Sequence, residues 1–182
     1  MKTFSLFAAA VIATLSLGTS TAAFADSQAK IDKGVSETLV KFHSMNPANK
    51  SLGQKAAGIL VFPKVTKAGV GVAGEHGEGA LQVNGKTVGY YSLSSASVGL
   101  TLGVASHGEI IMFMTKDSLD KFSHSDGWSI GADAEITVVK ASANGEYDSR
   151  TQQKPVLAFV FSEKGLIGDL SLEGSKITKL VR

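Results

Sequence analysis

The chain contains no cysteine, so it has no disulfide framework, no thiolate metal site and no sulfur nucleophile. Proline is scarce, at three residues, and a net charge of +2 leaves no strong overall field. The only arginines are Arg150 and Arg182. That scarcity argues against nucleic acid, where forked guanidinium contacts to phosphates and base edges are favoured. After the first 25 residues no apolar run approaches the ~20 residues a spanning helix needs.

What is present begins with an address. Lys2 supplies a positive start, Phe4 to Leu17 form an apolar core, and Ala23-Phe24-Ala25 is an A-x-A cleavage site. The expected organisation is a signal peptide over 1–25, cleaved after Ala25, and a single domain over 26–182. The expected location is periplasmic or secreted, without a lipid anchor because no cysteine follows the cleavage site. Charge is uneven along that domain. Lys30, Lys33, Lys41, Lys50, Lys55, Lys64 and Lys67 face only Asp26, Asp32 and Glu37 in the first part, whereas acids outnumber bases from Ala68 onward. A basic N-terminal third favours an anionic surface.

Ile31, Val35, Leu39, Phe42 and Met45 recur at three- and four-residue steps, which predicts an amphipathic helix from a cap at Asp26 or Ser27 to Met45. Asn46-Pro47-Ala48-Asn49 ends it, and a short helical turn follows near Ser51 to Ala56. Strands are expected at 58–62, ended by Pro63, and then at 69–75, 79–83, 86–92, 96–105, 109–114, 129–140, 156–161, 166–172 and 176–180. Asn84-Gly85 is a strong hairpin signal, Asn144-Gly145 marks a second turn, and one short helix is expected over 117–122. Strands following one another without interleaved helices predict a mainly β (α+β) fold. Its form would be an antiparallel barrel-like or sandwiched sheet of short strands, with the N-terminal amphipathic helix and one or two short helices. Small residues on one strand face (Gly69, Gly71, Ala73, Gly99, Gly103 and Ala105) would let the helix or a ligand chain approach closely.

Gly69 to Gly74 match GxGxxG letter for letter. A nucleotide-binding loop needs a helix start after that turn, so that phosphates meet free N–H groups. Glu75-His76-Gly77-Glu78-Gly79 supplies carboxylates and glycines instead, and no GK[ST] follows. Nucleotide binding is therefore not expected. His76 between Glu75 and Glu78 is too confined to close a metal site alone. Ser123, His124, Ser125 and Asp126 stand too close in sequence to serve as a triad, and no G-x-S-x-G elbow exists. Paired carboxylates such as Glu75/Glu78 and Asp133/Glu135 read as solvated. No metal, no cofactor and no enzymatic activity are expected. Tyr90, Tyr91 and Trp128 read as core aromatics with hydrogen-bonded polar tips.

Four segments in order carry a family likeness: KAAGILVFPKVTKAGVGVAGEHGEG from Lys55, GYYSLSSASVGLTLG from Gly89, DSLDKFSHSDGWSIGADAEI from Asp117 and GLIGDLSLEGSKITKL from Gly165. Together they resemble the SYLF lipid-binding domain family. The resemblance implies a non-catalytic module; eukaryotic members bind phosphoinositide membranes and some bind actin. Carried onto this chain, it implies lipid contacts through the N-terminal helix and nearby bases: Lys30, Lys33, Lys41, Lys55, Lys64 and Lys67. The expected partner is anionic phospholipid or a membrane surface. An envelope protein partner without lipid specificity is the alternative.

Overall fold

The computed structural model describes residues 26–139, 147–162, 165–167 and 171–182, with backbone alone at 98–102. The leader-like segment, the Asn144-Gly145 turn and the side chains of Val98, Leu100 and Leu102 lie outside the described parts. Helix α1 spans Gln28–Met45, and the Ser27 side chain caps it by accepting from the Lys30 amide. Ile31, Val35 and Phe42 are its buried stripe. Asn46 stops α1 in an extended conformation and caps the next helix, α2 (Pro47–Lys55), through its side chain. This helix starts earlier than expected because proline at the first helical position loses no hydrogen bond.

The expected short strands of the first half are in fact two long ones. Strand β1 covers Gly58–Val83 and strand β2 covers Lys86–Phe113, paired antiparallel from Gly58↔Phe113 to Val83↔Lys86. Asn84 and Gly85 take positive φ at the turn between them, as the tight hairpin requires. Pro63 does not end the strand. It falls within a register shift between Phe62 and Val65, where its missing N–H breaks no ladder bond.

The hairpin doubles back on itself. Gly77 and Gly79 lie so close to the first part of β1 that a β-carbon would stand 2.9 Å from Lys64 O and 2.1 Å from Val61 O. The bend falls at Gly69 to Ala73 on one strand and Gly103 on the other, with Gly71 and Gly103 at positive φ. At Gly69, Gly71 and Gly103 the small residues make a bend, not a seat for the helix. Helix α1 crosses elsewhere, with Gly34 against Pro63. It also clasps the second half of the hairpin, where Thr87 and Tyr90 hydroxyls donate to the Asp32 carboxylate at 2.9 and 2.8 Å.

The remaining elements are α3 (Lys116–Ser123, capped by Thr115), β3 (Gly127–Ser129), β4 (Thr137–Val138), α4 (Ser149–Gln152), β5 (Val156–Ser162), β6 (Gly165–Ile167) and β7 (Lys176–Leu180). Among the described residues, the expected strand over 129–140 is realised only at its start and at 137–138. β5 and β7 both join β2, the sheet order being β3-β7-β2-β5-β4. All described pairings are antiparallel except β4–β5 and the Ile130–Ala134 bridge. The fold is mainly β, and the sheet stays open, not closed into a barrel.

Side chains alternate across β5 and so divide the core in two. Val156, Ala158 and Val160 join Leu60, Phe62, Phe113, Phe122, Trp128 and Ile177 on one face. Leu157, Phe159 and Phe161 join Ile31, Val35, Phe42 and Leu52 on the other. Tyr91 and Trp128 are buried, and Trp128 meets the Phe122 ring edge-on at 5.1 Å.

Candidate functional site

Lys30 and Lys33 lie three positions apart on α1 and so project toward one side of the helix. That side faces the Pro63–Lys64 bulge of β1, and the gap between them is an open groove of about 560 Å³. Lys64 belongs both to this groove and to a neighbouring one of about 760 Å³ that contains Lys41, His107 and Phe161. The chain thus gathers four of its six expected lipid-contacting lysines around one bulge.

Their electrostatic standing differs. Lys30 pairs with Asp26 at 2.7 Å and Lys33 with Glu37 at 3.8 Å. Both pairs are well exposed, so each is worth at most about 1 kcal/mol and yields readily to a stronger anion. Lys41 and Lys64 are exposed and have no carboxylate within ion-pair distance among the described residues. Glu78 lines the groove too, but its carboxylate is already held by Arg182 at 2.7 Å and by the Asp26 amide at 2.9 Å. Lys55 closes α2 and lines neither groove. Lys67 turns inward, its ammonium 2.8 Å from the nearly buried Glu75.

Beyond Lys67 the doubled hairpin ends in an apolar bend. Val70, Val72 and Val104 are 78%, 61% and 75% exposed there. Six strand positions separate Lys64 from Val70, on the order of 20 Å of chain. Cationic side chains therefore stand at the base of an arm whose tip is aliphatic.

Inside the arm's base lies a second constellation. His107 and Glu109, two apart on β2, point to the same face as Ile111 and Phe113, and Glu75 of the folded-back half of β1 reaches them. One donor atom from each of the three residues lies within 4.8 Å of the others, and all three are buried. His107 Nε2 is 2.8 Å from Glu109 Oε1, while Glu109 Oε2 has no hydrogen-bond partner. Burial pushes the Glu109 carboxyl above the usual carboxylate range; the bond to His107 opposes this and Glu75 adds to it. Sequence reasoning missed this cluster by pairing Glu75 with His76, whose side chain is exposed on the other strand face. The available signal was the H-x-E spacing leading into an otherwise apolar strand.

GxGxxG has no nucleotide-loop geometry, since Gly69 to Gly74 continue as strand and no helix follows. Residues 94–180 match the family model Ysc84, described as Las17-binding protein actin regulator. Over those residues the chain is similar to the Ysc84 (SYLF) family that its sequence segments resemble. No curated protein matches the chain. The Ysc84 match covers β2 from Ser94 through β7 and includes His107 and Glu109. The groove lysines on α1 and β1 precede it. The family description is that of a binding protein, in keeping with a non-catalytic module.

Proposed function

We propose that this domain is a lipid-binding module of the bacterial envelope that docks on anionic phospholipid. Lys30, Lys33, Lys41 and Lys64 would meet headgroup phosphates, while Val70, Val72 and Val104 enter the acyl boundary. The observation that carries this reading is the exposed valine bend with lysines at its base. Aliphatic side chains gain by leaving water, and lysines near an anionic surface contribute about 1 kcal/mol each. Lys67 and Lys55 are assigned no headgroup contact, the first because Glu75 holds it and the second because of its position. Export follows from the leader-like residues 1–25, and no described helix is long and apolar enough to cross a membrane.

Co-sedimentation with vesicles of neutral lipid, with and without anionic phospholipid, tests the proposal. Binding is expected only with anionic lipid and should fall with salt. Lys41→Glu/Lys64→Glu should weaken it by about 30-fold or more, and Val70→Ser/Val72→Ser should weaken it at constant charge. Absent binding, or binding indifferent to both double variants, rejects the mechanism. The family description also favours a second reading, a protein partner without lipid preference; a defined envelope protein retained on the immobilised domain, with no vesicle binding, would select it.

A further inference from the structure

The buried cluster within the hairpin presents a separate problem from the exposed groove. Two carboxylates and an imidazole occupy the interior end of a hydrophobic core, where uncompensated charge costs several kcal/mol per group. Lys67 compensates Glu75 from the rim. Glu109 is 0% exposed and meets His107 through Oε1 alone; its Oε2 has no hydrogen-bond partner among the described residues. Side chains of hydrophobic strands rarely tolerate such an oxygen unless something else meets it.

We propose that Glu75, His107 and Glu109 form a binding site for a divalent first-row transition-metal ion, with Zn²⁺ as the natural probe. One nitrogen and two carboxylate oxygens are a donor set suited to such an ion, and three protein ligands leave a fourth position for water. Ligand atoms around tetrahedral zinc stand about 3.3 Å apart, as its bond lengths dictate. The three donors already lie within 4.8 Å of one another, so an ion needs them to draw together by at most about 1.5 Å. Binding replaces the His107–Glu109 hydrogen bond with two metal bonds and gives the unpartnered Glu109 carboxylate oxygen a neighbour of opposite charge. The ion would also join the two halves of the doubled hairpin, since Glu75 comes from one half and His107 and Glu109 from the other. His107 borders the groove of Lys41 and Lys64, but none of the three ligands is assigned a lipid contact, so the site survives the failure of the lipid reading.

The test is calorimetric titration of the chelator-treated full domain with Zn²⁺, together with Co²⁺ as an optical probe. One saturable site per chain is expected, and bound Co²⁺ should show the visible bands of a low-coordinate ion. His107→Ala and Glu109→Gln should each weaken Zn²⁺ by about 100-fold, whereas His76→Ala, an exposed neighbour of Glu75, should change it by less than about 2-fold. Circular dichroism and melting curves check folding. Should His107→Ala fail to fold, His107→Gln and the near-isosteric Glu109→Gln carry the comparison. A lack of saturable binding overturns the proposal. So does a site that survives both ligand substitutions, or one that His76→Ala removes.

Discussion

His43 shows how one residue's surroundings become a measurable property. It sits on the last turn of α1, its Nε2 buried without a partner, against Gly53 of α2 and beside the Phe42 ring. Burial, helped by the Lys50 charge, holds its pKa below the ordinary histidine value. The folded state therefore disfavours the imidazolium, and the unfolded chain binds the proton more readily. The contribution is fully present above the unfolded value near 6.5 and is lost as pH falls through the lower folded value. Melting temperatures measured from pH 7.5 downward should fall more steeply for the parent protein than for His43→Gln. Parallel curves would show that His43 is not responsible. Nothing in the sequence around His43 forecasts this: Lys50 and Gly53 meet it only because α2 folds back along α1.

At the scale of elements, legibility followed range. Helix α1, its serine cap and the Asn84-Gly85 turn rest on neighbours in sequence, and each was readable. Continuity of β1 through Pro63 was not, because a bulge is decided by the partner strand. The doubling of the hairpin was also hidden. Glycines that permit close approach and glycines that permit a bend are the same letter, and only contacts between Gly77–Gly79 and Val61–Val65 tell them apart. A direct comparison follows. Gly79→Ala would drive a methyl into the Val61 carbonyl and the Phe62 ring, costing about 3 kcal/mol or more. Gly74→Ala, with open space around it and no positive φ, should stay within about 0.5 kcal/mol. Urea unfolding of the two variants measures both; equal stabilities would contradict the fold-back. The candidate site divides the same way. The placing of Lys30, Lys33 and Lys41 on α1 was legible because helix periodicity is local, whereas the approach of Lys64 to that helix, Lys67's engagement and the partners of Glu75 depend on residues far along the chain.

For the whole molecule, the decisive element is β5, whose two faces belong to two cores. Such sharing makes independent melting of the cores impossible without breaking one strand. Leu157→Ala removes volume from the core beneath α1 and should cost about 2–5 kcal/mol. Trp128 reports from the opposite core. Its fluorescence and the far-UV dichroism should therefore shift to lower denaturant together, as one transition. Two separated transitions would show the cores to be distinct units.

The long hairpin also dictates an order of events in time. Its turn is the one place where β1 and β2 meet as neighbours in sequence, and each later pair closes a wider loop, ending with Gly58↔Phe113. Loop entropy makes the nearest pairs cheapest, so the ribbon zips outward from Asn84-Gly85 and reaches β5's pairing partners last. Non-local closure of this kind is slow. Until the final stretch zips, Phe113, Ile111 and the strand that awaits β5 remain exposed to other unfinished chains. The refolding yield of this protein should therefore be set by concentration, through the lifetime of that half-zipped ribbon.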